Sequence, residues 1–287
     1  ITLNKDLDFY IKQYLDKNVS NVFSPPKIPR KVRAELAYKV QKACFFFNED
    51  INTVPDIYID YESSTLLIEG IPSPIVMIDS ISKNEISIAH GKLIAKTISR
   101  LHKELSIKEY RSNELFRNEE FRDFKLKLQY YDLADNFDGK IKETILELVS
   151  RYKNNDITVL HGDLNSRNII INGLSKEKLG IIDFEQSHVG NPIYDISYFL
   201  CEIYTSCLYY DSLKLLEDYI SSFLKTYSFY NPDYDLSAHV FDLKQHIAVQ
   251  MLYRFYGPSR NSWTYYLENE NQKNKVIEFA KNNPTKS

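Results

Sequence analysis

The sequence predicts an α+β protein of two lobes, a small mixed α/β lobe over residues 1–80 and a larger, mainly helical lobe over 81–287. Three observations carry this. Beyond Pro55, three β-branched runs, Ile57 to Tyr61, Thr65 to Glu69 and Ile75 to Ile81, are separated by Ser63-Ser64 and by Gly70 to Pro74, the pattern of a meander. After Asn84 the apolar residues recur at helical spacing, beginning with Ile94, Ile98, Leu101 and Leu105. A strand-rich insert, Thr158 to Leu160, Ile169 to Asn172 and Leu179 to Asp183, interrupts the helices near the start of the second lobe.

The remaining elements follow in order. Residues 5–17 read as a short helix, and Pro29 opens a second one running to about Phe47, because proline suits the first turn of a helix. Long helices fill 115–152. From Tyr194 onward the chain reads as helical, with one stripe through Leu213, Leu216, Ile220, Phe223 and Tyr227 and another through Val240, Leu243, Ile247 and Met251. The lobes join near residues 79–84.

Composition narrows the function classes. With 36 Lys and Arg against 39 Asp and Glu, the net charge of −3 gives no basic surface for nucleic acid. No apolar run reaches the roughly 18–20 residues that span a bilayer. Three cysteines with no C-x-x-C pair suit a reducing cytoplasm better than a disulfide framework. No signal peptide is read, and with Ile1 rather than Met at the start, further residues are expected upstream. His90, His102, His188, His239 and His246 lack metal-ligand spacing and read as structural.

The segment with chemical content is His161-Gly162-Asp163-Leu164-Asn165-Ser166-Arg167-Asn168, followed fifteen residues after Asn168 by Asp183 in Ile181-Ile182-Asp183-Phe184-Glu185. A lone His-Gly-Asp is an ordinary turn, and a lone Ile-Asp-Phe an ordinary strand end. In this order and spacing they supply what phosphoryl transfer needs: a carboxylate to take a hydroxyl proton and hard oxygen ligands for Mg²⁺ on the phosphates.

H-G-D-x-x-x-x-N followed by I-D-F resembles the catalytic loop and metal-binding segment of the aminoglycoside phosphotransferase and choline kinase superfamily, related in fold to protein kinases. The likeness extends over roughly residues 54 to 255. It includes Leu101-His102 at the end of a helix, Val54-Pro55 before a strand, and Gly190-Asn-Pro-Ile-Tyr-Asp195, where the family often has Asp at position 191.

The resemblance implies a protein-kinase-like fold and a small-molecule kinase using Mg²⁺ with ATP or GTP as donor. Asp163 would be the catalytic base, Asn168 and Asp183 the metal ligands. His161 would organise the loop, Asp195 brace it, and Glu185 either contact the metal or a cationic substrate or stand as a solvated or capping carboxylate. Arg167 would offset phosphate charge or lie solvated on the surface.

Around the nucleotide, the resemblance implies purine contacts by the backbone of Asp79 to Ile81, with Met77 lining the pocket. It also implies a phosphate loop containing Ser20 and Asn21, with Glu35 as the helix glutamate that pairs a phosphate-binding lysine. Lys27 and Lys31 are the lysines between Phe23 and Glu35, and neither lies on an evident strand, so either the small lobe is shortened or residues are missing between Phe23 and Lys31. The basic run Lys27, Arg30, Lys31, Arg33 faces phosphates or solvent. The acceptors of the family, aminoglycosides, amino alcohols and sugars, are not distinguished by sequence. Glu202, Asp211, Trp263, Tyr265 and Glu268 would suit a cationic polyhydroxy compound, or an ordinary surface and core. A pseudokinase that binds nucleotide or a partner without turnover is the alternative from another class.

Overall fold

The computed structural model describes residues 9–16, 25–153, 155–173 and 178–283. Its first element corrects the helix expected over 5–17: Phe9–Gln13 is a strand, β1. It lies antiparallel to β3 (Thr65–Glu69), with Phe9 opposite Glu69 and Gln13 opposite Thr65. β2 (Ile57–Asp60) pairs the other edge of β3, giving the order β1-β3-β2. The free edge of β3 offers a row of unpaired peptide groups, and the aromatic and β-branched Phe9-Tyr10-Ile11 satisfies it at the expense of the local helical pattern.

α1 (Arg30–Phe47) starts directly after Pro29, as expected. It serves two cores. Ala34 and Ala37 pack with Tyr14, Ile57, Leu66 and Ile68, whereas Leu36, Val40 and Cys44, at i, i+4 spacing, join the main core.

The run from Ile75 to Ile81 is not one strand. Only β4 (Pro74–Val76) is extended, and it leaves the meander to pair with β6 (Ile169–Asn172). The chain then turns into a short helix, α2 (Met77–Ile81), because Met77, Ile78 and Ile81 all reach the core and helical spacing puts them on one side.

α3 (Ile88–Glu104) follows. The region expected to hold long helices is broken into α4 (Lys108–Ser112), α5 (Glu114–Arg117) and α6 (Glu119–Leu126). Asn118, at φ 40°, separates the last two. A wider π-helical turn over Lys127–Tyr131 leads into α7 (Asp132–Ala134), and α8 (Gly139–Lys153) completes the region.

β5 (Thr158–Leu160) pairs with β8 (His188–Gly190), a strand too short to announce itself in sequence. β6 also pairs β7 (Leu179–Ile181), which ends two residues before Asp183 because Asp183 is left-handed, at φ 70°. α9 (Ile193–Tyr209), α10 (Leu213–Tyr230) and α11 (Val240–Tyr256), with the short α12 (Arg260–Trp263) and α13 (Glu270–Asn282), build the rest. α10 packs on α3, and α11 on α9. Among the described residues no helix is long and apolar enough to cross a membrane.

The sheet β4-β6-β7 brings the candidate residues together. β4 and β7 both run antiparallel to the central β6, so they end at the edge where β6 begins. Three segments therefore emerge together: Met77 after β4, the 161–168 loop before β6, and Asp183 after β7.

Candidate active site

The loop after β5 turns at Gly162, whose φ is +79°. A Cβ there would lie 2.1 Å from the carbonyl oxygen of Gln186. Gly162→Ala is therefore expected to destabilise the protein by at least about 1–2 kcal/mol from the left-handed backbone alone, with the clash adding to it. Urea unfolding of the two proteins measures the difference.

Asp195, at the start of α9, fixes this turn. Its Oδ2 accepts the His161 N–H at 2.7 Å and its Oδ1 the Gly162 N–H at 3.0 Å. The carboxylate can only accept, so His102 Nε2, 3.0 Å from Oδ2, carries the proton, and the Tyr227 hydroxyl meets His102 Nδ1 at 2.9 Å. Burial alone would push the Asp195 carboxyl up. The His102 contact and the loop N–H groups outweigh it and hold the pKa below the usual carboxylate value. The stability this contributes is present above the ordinary carboxyl range and is lost as pH falls through the depressed value.

His161 acts at the next level. Its Nε2–H donates to the carbonyl of Ile182 at 3.0 Å, while Nδ1 accepts the backbone N–H of Asp163 at 3.2 Å. Its ring packs 4.4 Å from that of Phe184. One buried imidazole thus ties the loop to the exit of β7.

Asp163 is held by its neighbours in the loop and by one distant cation. Asn168 Nδ2 donates to Asp163 Oδ2 at 3.0 Å and to its backbone carbonyl at 2.9 Å. Lys125, nearly buried on α6, sets its ammonium 2.6 Å from Oδ1. Sequence reasoning missed Lys125: it lies 38 residues before Asp163 and belongs to no motif.

Asp183 meets a second ammonium. Lys12, on β1, approaches its Oδ1 at 2.7 Å and Glu185 Oε2 at 3.2 Å. Burial works against the charged lysine, but Asp183 and Glu185 prevail and raise its pKa. The Glu185 carboxyl is itself raised, first by burial and then by Asp183.

Two carboxylates that converge on one cation are suited to a divalent ion. With the NH₂ of Asn168 turned to Asp163, the amide presents its carbonyl oxygen as a neutral hard ligand. No cluster of three or more His, Cys, Asp or Glu side chains suited to a metal occurs among the described residues.

Other expected residues are placed differently. Glu35 pairs with Lys39 at 2.7 Å on its own helix instead of with a phosphate-binding lysine, and Lys12 reaches Asp183 and Glu185 directly. Ser20 and Asn21 lie outside the described residues. Lys27 and Lys31 are exposed, whereas Arg33 turns inward over the Tyr14 ring. The side chains of Met77 and Ile81 are in the core and Asp79 is exposed. The carbonyls of Asp79, Ser80 and Ile81 already accept bonds from Ser82, Glu85 and Ser206, because this stretch is helical and not extended.

A cavity of about 440 Å³ opens in front of Asp163, with Asn168, Glu185, Lys125, Arg167, Tyr198 and Trp263 in its walls. Glu202 lies behind it and is no free carboxylate: Arg254 pairs with it at 2.8 Å, and Ser166 donates to it. Asp211 accepts from Gln272, and Tyr265 and Glu268 are exposed.

A two-lobed, protein-kinase-like α+β fold with this loop at the mouth of a cavity defines a small-molecule kinase. The profile of the phosphotransferase enzyme family (APH) matches residues 79–231, just over half of the chain. The chain belongs to that family. Among solved structures, Plasmodium vivax ethanolamine kinase is similar with a TM-score of 0.52 at 18% identity, over 95% of this chain and 74% of that one. A choline/ethanolamine kinase family protein from Mesorhizobium loti gives 0.50 at 12% identity, covering 89% and 83%. The GDP complex of an aminoglycoside 2'-phosphotransferase-IIIa gives 0.47 at 15% identity, covering 88% and 83%. No curated protein sequence matches the chain significantly.

Proposed function

We propose that this kinase moves the γ-phosphate of ATP or GTP to a hydroxyl of a small molecule, with Asp163 as the base. The observation that supports this best is the common exit of the Asp163 loop and Asp183 at one sheet edge, each carboxylate carrying a lysine ammonium. In the reaction R–OH plus nucleoside triphosphate gives R–O–phosphate plus nucleoside diphosphate, and the hydroxyl proton passes to Asp163. Mg²⁺ would supply neutralisation of the phosphate charge there. Asn168 and Asp183 would hold it.

Lys12 takes the part of the strand lysine that contacts the donor phosphates in protein kinases. The residues to about 80 form the nucleotide lobe, and those after it the catalytic and acceptor lobe. Cys44, Cys201 and Cys207 are all buried free thiols, in keeping with a reducing compartment such as the cytoplasm.

The deciding experiment follows nucleoside diphosphate release with ATP or GTP, Mg²⁺ and a panel of hydroxyl compounds. Acceptor-dependent release supports the proposal. Nucleotide binding with no release for any acceptor returns the chain to the pseudokinase reading. In the same assay Lys12→Met is expected to weaken nucleotide use by roughly ten- to a hundredfold, since a hydrogen bond to a charged group contributes about 1.5–3 kcal/mol. An unchanged nucleotide KM in the folded variant removes Lys12 from the donor site.

A further inference from the structure

The cavity in front of Asp163 is furnished for an acceptor that brings negative charge. Its carboxylates already have cations of their own: Lys125 on Asp163, Lys12 on Glu185, and Arg254 on Glu202 behind the wall. Two of the aromatic faces in its walls, those of Tyr198 and Trp263, are occupied in the same way. Arg254 lies 3.8 Å from the Trp263 ring centre and 4.3 Å from that of Tyr198. Lys125 stands 5.3 Å over Tyr198, and Arg167 4.8 Å over Trp263.

An incoming ammonium group would need a free carboxylate or an open ring face. In the walls it meets three cations, Arg33, Lys125 and Arg167, against the two carboxylates of Asp163 and Glu185, while Arg254 and Glu202 pair with each other behind them.

Arg167 is the cation with capacity to spare. It lines the cavity four residues after Asp163, is exposed, and donates to the carbonyl of Ser262. Among the described residues no carboxylate lies within ion-pair distance of it. A guanidinium on an indole face, open on its outer side, is suited to bidentate binding of a carboxylate or phosphate.

We propose that the acceptor carries a carboxylate or phosphate in addition to its hydroxyl, and that Arg167 binds this anion beside Trp263 while Asp163 faces the hydroxyl. This rests on the phosphotransferase reading above and narrows it away from choline-like and aminoglycoside-like cations.

The test uses three sugars of one frame that differ in charge: glucuronate, glucose and glucosamine. Their dissociation constants are measured by calorimetry on the full chain with Mg²⁺ and ADP, so that no turnover intervenes. Glucuronate is expected to bind at least about tenfold more tightly than glucosamine, with glucose between them. Arg167→Met should abolish that ranking, and Arg167→Lys should retain part of it. Glucosamine binding as tightly as glucuronate, an unchanged ranking in Arg167→Met, or no binding of any of the three overturns the proposal. A titration with Mg²⁺–ADP alone, without sugar, reports on the phosphotransferase reading separately, so the two failures are distinguishable.

Discussion

Asp163→Asn is expected to lower turnover by about 10²–10⁴-fold, the usual cost of removing a general base, while Mg²⁺–nucleotide affinity stays within a few-fold. The amide retains an oxygen to accept the Asn168 bond, so the loop keeps its shape, but it cannot take the hydroxyl proton. It also leaves the nearly buried Lys125 ammonium without its carboxylate. The variant should therefore melt lower as well, because an uncompensated buried charge is costly. Kinetics taken well below its melting temperature separate the two effects. Full kcat in a correctly folded Asp163→Asn protein removes this carboxylate from the mechanism.

The second large effect is expected at Asp183. Asp183→Ala should abolish Mg²⁺-dependent nucleotide binding, and Asn168→Ala should weaken it in the same direction but less. Asp183 sits in a left-handed conformation that few residues adopt, at the outlet of β7, with its carboxylate turned to a cation. Backbone strain of this sort costs about 1–3 kcal/mol and persists where the surroundings enforce it. Here the His161 bond to the preceding carbonyl does so. Calorimetry showing unchanged Mg²⁺–nucleotide affinity in Asp183→Ala would reject the metal assignment.

Much of this was legible in the sequence because it is local. Pro29 marks the start of α1, the helical stripes mark α3, α10 and α11, and the spacing of Asp163, Asn168 and Asp183 lies within one short stretch. What escaped is non-local. Lys12 was hidden because residues 5–17 carry apolar positions compatible with a helix, and the strand exists only through pairing with β3 more than fifty residues later. The lysine that stands beside Asp183 thus lies before Phe23, outside the stretch from Phe23 to Glu35 that the resemblance pointed to.

Lys125 comes from a helix with no motif, and only the fold sets it against Asp163. β8 has three residues, too few for a periodic signal, and α2 looked extended because Ile75, Val76, Ile78 and Ile81 are β-branched. Burial of Met77 and Ile81 outweighed that preference.

The anchorage of Asp195 settles which part of the machinery is stationary. Its carboxylate belongs to α9, its His102 partner to α3, and the Tyr227 hydroxyl behind that to α10. Three long helices thus serve as the datum from which the position of the Asp163 loop is measured. Lys12 is referred to a different datum, the edge of the β1-β3-β2 sheet. Any rocking of that sheet over the cavity changes the span from Lys12 to Asp183 but leaves Asp163 and Asn168 in register with one another. In the proposed reaction Lys12 would then be the adjustable jaw and Asp163 the fixed one.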